Sequence, residues 1–99
     1  MRKRICFEWD AAKAVANLRK HGVSFDLASL AFADPFALIA QDRFEGGEYR
    51  WQTLGLVEGC LLLLVAHTVT DADGTEVVRI ISARKATRKE RQRYDHENR

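Results

Sequence analysis

The chain reads as an α+β domain in the order β-α-α-β-β-β-β-α, an antiparallel sheet meander with two N-terminal helices and one C-terminal helix. Three observations carry this. Two capped helical stretches follow the first apolar run in tandem. Alternating apolar segments punctuated by Gly46-Gly47, Glu58-Gly59 and Asp73-Gly74 then succeed one another without a helix between them. Finally Thr87 and Glu90 form a Thr-x-x-Glu capping box just after the last apolar run.

In order, Arg4–Trp9 alternates as a short first strand. Asp10 is a good N-cap, and Ala11, Val15 and Leu18 share one face of a helix over 11–21, which Gly22 closes in the left-handed conformation. Ser24 caps a second helix with Asp26 in its first turn and an apolar stripe of Phe25, Leu27, Ala28, Ala31 and Phe32. Asp34-Pro35 ends it. Phe36–Asp42 is a second strand, and 43–48 is a glycine-containing loop. Tyr49–Val57 is a third strand, with Tyr49, Trp51, Thr53 and Val57 on one face and Arg50, Gln52, Leu54 and Leu56 on the other. Cys60–Val69 is apolar on both faces and predicts a central strand covered from both sides. Asp73-Gly74 is a hairpin turn into the last strand, 76–83. The closing helix has Tyr94 as its only large apolar anchor and docks through it and the stems of Arg and Lys.

Ninety-nine residues suit one domain, 1–99, and 46% apolar with 30% charged residues describe a folded rather than a disordered chain. The net charge of +2 hides a division: residues 1–4 carry +3, residues 79–99 carry +5, and 5–78 carry −6. A basic end on an acidic body points to an anionic partner for one surface and a basic one for another. Cys6 and Cys60 lie in apolar runs without metal-ligand spacing and read as buried free thiols of a reducing compartment. No secretory signal or run long enough to span a membrane is visible, so the expected location is cytoplasmic.

Several strings, in this order, resemble those of the BrnT toxins of bacterial type II toxin–antitoxin pairs. They are Phe7-Glu8-Trp9-Asp10, the NLRKHGVSF run of 17–25, Phe32-Ala33-Asp34-Pro35, Gly47-Glu48-Tyr49-Arg50-Trp51, the RIISARKA run of 79–86, and Glu90-Arg91-Gln92-Arg93-Tyr94. The resemblance spans residues 7–94. It implies a RelE-like fold, a ribonuclease that halts translation, and a cognate BrnA-like antitoxin that is itself a DNA-binding protein. Promoter DNA would then be bound only through the toxin–antitoxin complex, and the toxin would be a homodimer or part of a 2:2 heterotetramer.

Metal-free RNA cleavage requires a base for the 2′-hydroxyl, cations for the phosphorane charge and an acid for the leaving oxygen. Arg79 and Arg84 suit the phosphate, because the guanidinium fork binds its oxygens in pairs and stays protonated. Arg79 also interrupts an apolar strand, which fits either an anionic site or an ion pair with a neighbouring carboxylate. The two arginines are five positions apart, so both face one cleft only if the strand ends or bulges around Ser82-Ala83. Arg50 joins them, with Glu48 as base or as an arginine's partner. Lys20 and His21 end the first helix, as phosphate ligand and proton shuttle or as simple C-terminal cations. Lys85, Arg88 and Arg91 complete the RNA-binding set, and Tyr94 either stacks, donates a proton or anchors its helix. His67 reads as a satisfied core or sheet-end histidine. No cofactor fingerprint or metal-ligand spacing is present, so neither a metal nor a cofactor is expected. Two rivals share these residues: a module that binds nucleic acid without cleaving it, and one whose basic helix docks on an acidic protein.

Overall fold

The computed structural model describes residues 4–99. It contains β1 (Arg4–Glu8), α1 (Ala11–His21), α2 (Phe25–Ser29), a 3-10 turn (Leu30–Ala33), β2 (Leu38–Glu45), β3 (Glu48–Val57), β4 (Leu61–Ala72), β5 (Thr75–Lys85) and α3 (Arg88–Glu97). The strands form one sheet in the order β1-β5-β4-β3-β2. β2 to β5 are the expected antiparallel meander, whereas β1 joins the far edge parallel to β5, with Glu8 opposite Arg79. The sheet is therefore mixed, because α1 and α2 carry the chain back over it between β1 and β2.

The caps behave as their chemistry dictates. Asp10 accepts from the Lys13 N–H, Ser24 from the Leu27 N–H, and Thr87 and Glu90 cap α3 reciprocally. Gly22 takes φ 70° and sends its N–H to the Leu18 carbonyl. The second helix is shorter than its apolar stripe predicts, since it tightens into the 3-10 turn at Leu30. That turn brings Ala31 so close to β3 that a Cβ on Gly55 would stand 2.3 Å from the Ala31 carbonyl oxygen. The second strand also differs. The Phe36 N–H is tied back to Asp34 Oδ1, delaying the start to Leu38, and Gly46 and Gly47 turn tightly at φ 61° and 81°. The expected loop at 43–48 is consequently mostly strand.

β4 is covered on both sides. Leu63 and Val65 meet Val23, Phe25, Ala28 and Ala31 in one core, while Leu62 and Leu64 meet Leu54 and Tyr94 beneath α3 in a second. Both cysteines correct their expectation: they are free but exposed. Cys6 alternates with the core-facing Phe7 on an edge strand, and Cys60 sits in the turn after β3.

One side chain extends the sheet beyond β1. β1 pairs with β5 only as far as Arg79, and Ala83 would otherwise keep an unpaired backbone edge. Buried Asn17 of α1 donates to the Ala83 and Val23 carbonyls, each at 2.9 Å, and accepts from the Ala83 N–H at 3.0 Å. It substitutes for a strand neighbour.

Candidate active site

Arg79 and Arg84 stand on the same face of the sheet. Arg79 is opposite Thr68 and Arg84 opposite Leu64, two β4 residues an even number apart. The register slips between Ala66, opposite Ser82, and His67, opposite Ile80, so Ile81 is an extra residue in β5. This β-bulge reverses the alternation and resolves the odd spacing. The shared face is the one α3 partly covers, since Leu64 packs with Tyr94. Beyond α3 it is open and polar.

There the Arg79 guanidinium forms an ion pair with the Glu48 carboxylate, reaching past β4 from β5 to the start of β3. Both side chains are part exposed, at 44% and 35%, so the pair remains accessible to an incoming anion. Arg50 lies two residues along β3 from Glu48, on the same face. Its Nε is buried and has no hydrogen-bond partner. Left without an acceptor, this donor is costly in place and gains one when the Arg50 side chain moves toward an incoming anion.

Arg84 is engaged differently. Its fork meets Glu90 at 2.8 and 3.0 Å, and Glu90 Oε1 also accepts from the Thr87 N–H. Hydrogen bonding from Arg84 lowers the Glu90 pKa to about 2 against the effect of burial, with Thr87 adding to it; the Arg84 pKa rises through the same contact. Arg84 thereby ties the end of β5 to the first turn of α3. That turn carries Arg88 and Arg91, which, like Lys85, are exposed and form no ion pair with another described residue.

Tyr94 is buried, and its hydroxyl donates to Asp34 Oδ2 at 2.6 Å; burial and this carboxylate push its pKa up to about 12. Asp34 also accepts from the Leu56 and Phe36 N–H groups. Burial raises its pKa, but the Tyr94 and backbone hydrogen bonds outweigh that and hold it below the usual carboxylate value. Asp34 thus joins the end of the helical layer, β3 and α3. The sequence treats it only as a helix stop, because its partners are 22 and 60 residues away.

Lys20 and His21 close α1, within the helical layer rather than on the Arg79 face. They lie one turn beyond Asn17, which holds Ala83, and neither bonds to Glu48, Arg79 or Arg84. His67 is buried as expected: Nε2 is 2.8 Å from Thr53 Oγ1, and the edge-on Phe32 ring lies 4.8 Å away. Burial lowers its pKa to about 4. A histidine held neutral in the folded state stabilises it fully above its unfolded pKa, near 6.5, and that stabilisation disappears as pH falls to about 4. We expect about 3 kcal/mol to be lost across this window. Urea unfolding from pH 7.5 to 4.0 checks this, and His67→Gln should flatten the dependence. An equally steep loss in the variant would assign it to another group.

Among the described residues no three His, Cys, Asp or Glu side chains converge as a metal site, and no helix is long and apolar enough to cross a membrane.

Comparison with known proteins agrees with this architecture. A crystal structure of the Brucella abortus ribonuclease toxin BrnT superposes with a TM-score of 0.63 at 20% identity, covering 86% of this chain and 99% of that one. No curated relative matches. The family described as "Ribonuclease toxin, BrnT, of type II toxin-antitoxin system" matches residues 9–90. The chain belongs to the BrnT family of ribonuclease toxins of type II toxin–antitoxin systems.

Proposed function

We propose that the open face around Arg79, Glu48 and Arg50 is the site of a metal-independent endoribonuclease that cleaves RNA by internal transesterification. The observation that carries this is the adjacency of a carboxylate, a paired but accessible arginine and an arginine with an unsatisfied buried donor. Phosphate entering the site competes with Glu48 for the Arg79 fork and gives the Arg50 Nε its acceptor. Glu48, released beside the ribose, accepts the 2′-hydroxyl proton as the 2′-oxygen attacks phosphorus. The bond to the 5′-oxygen breaks, and that oxygen takes up a proton. The products are a 2′,3′-cyclic phosphate and a 5′-hydroxyl. Arg79 and Arg50 stabilise the equatorial oxygens of the phosphorane, the part a divalent ion would otherwise take.

In this reading Arg84 holds α3 over the sheet, where Arg88 and Arg91 track the RNA backbone, with Lys85 at the strand end. Tyr94 supports the site through Asp34. Lys20 and His21, at the end of α1 in the helical layer, contact RNA outside the reacting centre. The whole of 1–99 acts as one toxin domain in the cytoplasm, and cleavage stops translation. Family membership implies an antitoxin partner. Neutralisation by it, promoter binding only through the complex, and a homodimeric or 2:2 state belong to the same proposal.

Incubating the purified protein with total RNA in EDTA tests the chemistry, with ribosomes added in a second arm. Fragments ending in 2′,3′-cyclic phosphate are expected. Intact RNA in both arms, or cleavage abolished by EDTA, would overturn the mechanism.

A further inference from the structure

The helices cover only part of their side of the sheet. Where their cover ends, Ile5, Ile39, Tyr49, Trp51, Val69 and Val78 line an apolar trough of about 640 Å³, floored by His67 and Phe32. Its residues come from every strand, so it is a continuous sheet face rather than a gap between loops. Ile39 is 64% exposed, Tyr49 54% and Val69 38%. Phe44 extends the patch, 61% exposed and packed edge-on against Tyr49. So much exposed aromatic and branched surface on a small protein marks a binding face.

The charge around it identifies the partner. Glu48 and Glu76 line the trough, and the chain between residues 5 and 78 carries −6. Arg79 and Arg84 instead lie on the opposite face, Lys85 stands at the far end of β5 from the trough, and the other basic residues run along the exposed side of α3. An apolar floor with acidic margins repels nucleic acid and suits a cationic amphipathic protein segment.

We infer that this trough is the docking surface for the antitoxin, which fills it with the apolar face of a helix flanked by Lys or Arg. The inference rests on the family reading, which requires an antitoxin. Glu48 connects this docking to the chemistry, since it borders the trough and also pairs with Arg79. A cation seated at the trough margin draws the Glu48 carboxylate away from the 2′-hydroxyl. Docking on one face thereby stops turnover on the other, without the partner covering the arginines.

The test measures binding of the purified cognate antitoxin to the wild-type protein, to the Ile39→Arg/Val69→Arg double variant, and to Val15→Arg on the exposed side of α1. Affinity should fall at least 100-fold in the double variant and stay within threefold in Val15→Arg. RNA cleavage by the free double variant should match wild type, showing that its fold is intact. Glu76→Lys should weaken binding about tenfold. Full affinity in the double variant would overturn the docking surface. So would a loss confined to Val15→Arg, or a double variant that only dissolves a homodimer while binding the antitoxin normally. Failure of wild type itself to bind would instead remove the family-based premise.

Discussion

Arg79→Ala should lower the rate of RNA cleavage by about 10²–10³-fold while leaving the fold intact. The guanidinium is ion-paired with Glu48 and part exposed, and on the proposed mechanism its loss removes phosphorane stabilisation together with the alignment of the base. Its ion pair is part exposed, so unfolding free energy should change by less than about 1 kcal/mol. Arg79→Lys should recover only part of the rate, because an ammonium offers one point charge where the fork offers two aligned donors. Arg84→Ala is expected to behave differently. It frees half-buried Glu90 and the first turn of α3, so RNA affinity and stability fall along with rate. Single-turnover cleavage compared with urea unfolding of each variant distinguishes the two. Unchanged single-turnover cleavage in Arg79→Ala would move the chemistry away from this face.

Asn17→Ala should be among the most destabilising single substitutions, at about 3 kcal/mol or more. The truncation leaves the Ala83 N–H and the Ala83 and Val23 carbonyls without partners at buried positions, each worth about 1–3 kcal/mol, partly relieved by water entry. Asn17→Asp should recover little, since a carboxylate can accept from the Ala83 N–H but cannot donate to either carbonyl. Chemical denaturation provides the measurement. A loss below about 1 kcal/mol would mean that another group closes this edge of β5.

Local chemistry was legible in the sequence wherever a signal and its effect lie within a few residues. The N-caps at Asp10, Ser24 and Thr87, the left-handed Gly22 and the glycine turns all have partners within four residues. The two-sided burial of β4 follows from its uninterrupted apolar run, and the lone apolar residue of α3 identified Tyr94 as its anchor. The candidate arginines were legible as residues, because a cation in an apolar strand requires an anion. Which anion each one meets was not. Glu48 is 31 residues from Arg79 in sequence, and the contact exists only because β4 lies between their strands.

The same limit governs the remaining differences. Nothing in the composition of Ile80-Ile81-Ser82 marks Ile81 as an extra residue. The bulge appears because two well-packed halves of the β4–β5 ladder must both keep apolar residues on the helical side. Residues 4–8 read as a strand from their own pattern, but a parallel seat beside β5 is decided by the path of two helices over the sheet. Exposure of Cys6 follows from that edge position, and the apolar trough follows from where those helices stop. By itself the sequence determined the elements, their caps and a basic end on an acidic body, because periodicity and charge are properties of neighbouring residues. Only the tertiary structure decided that Arg79 and Arg84 share a face, that Glu48 joins one of them and Glu90 the other, and that the opposite face is left apolar. Those facts depend on strand order and register, which arise from packing between residues distant in the chain.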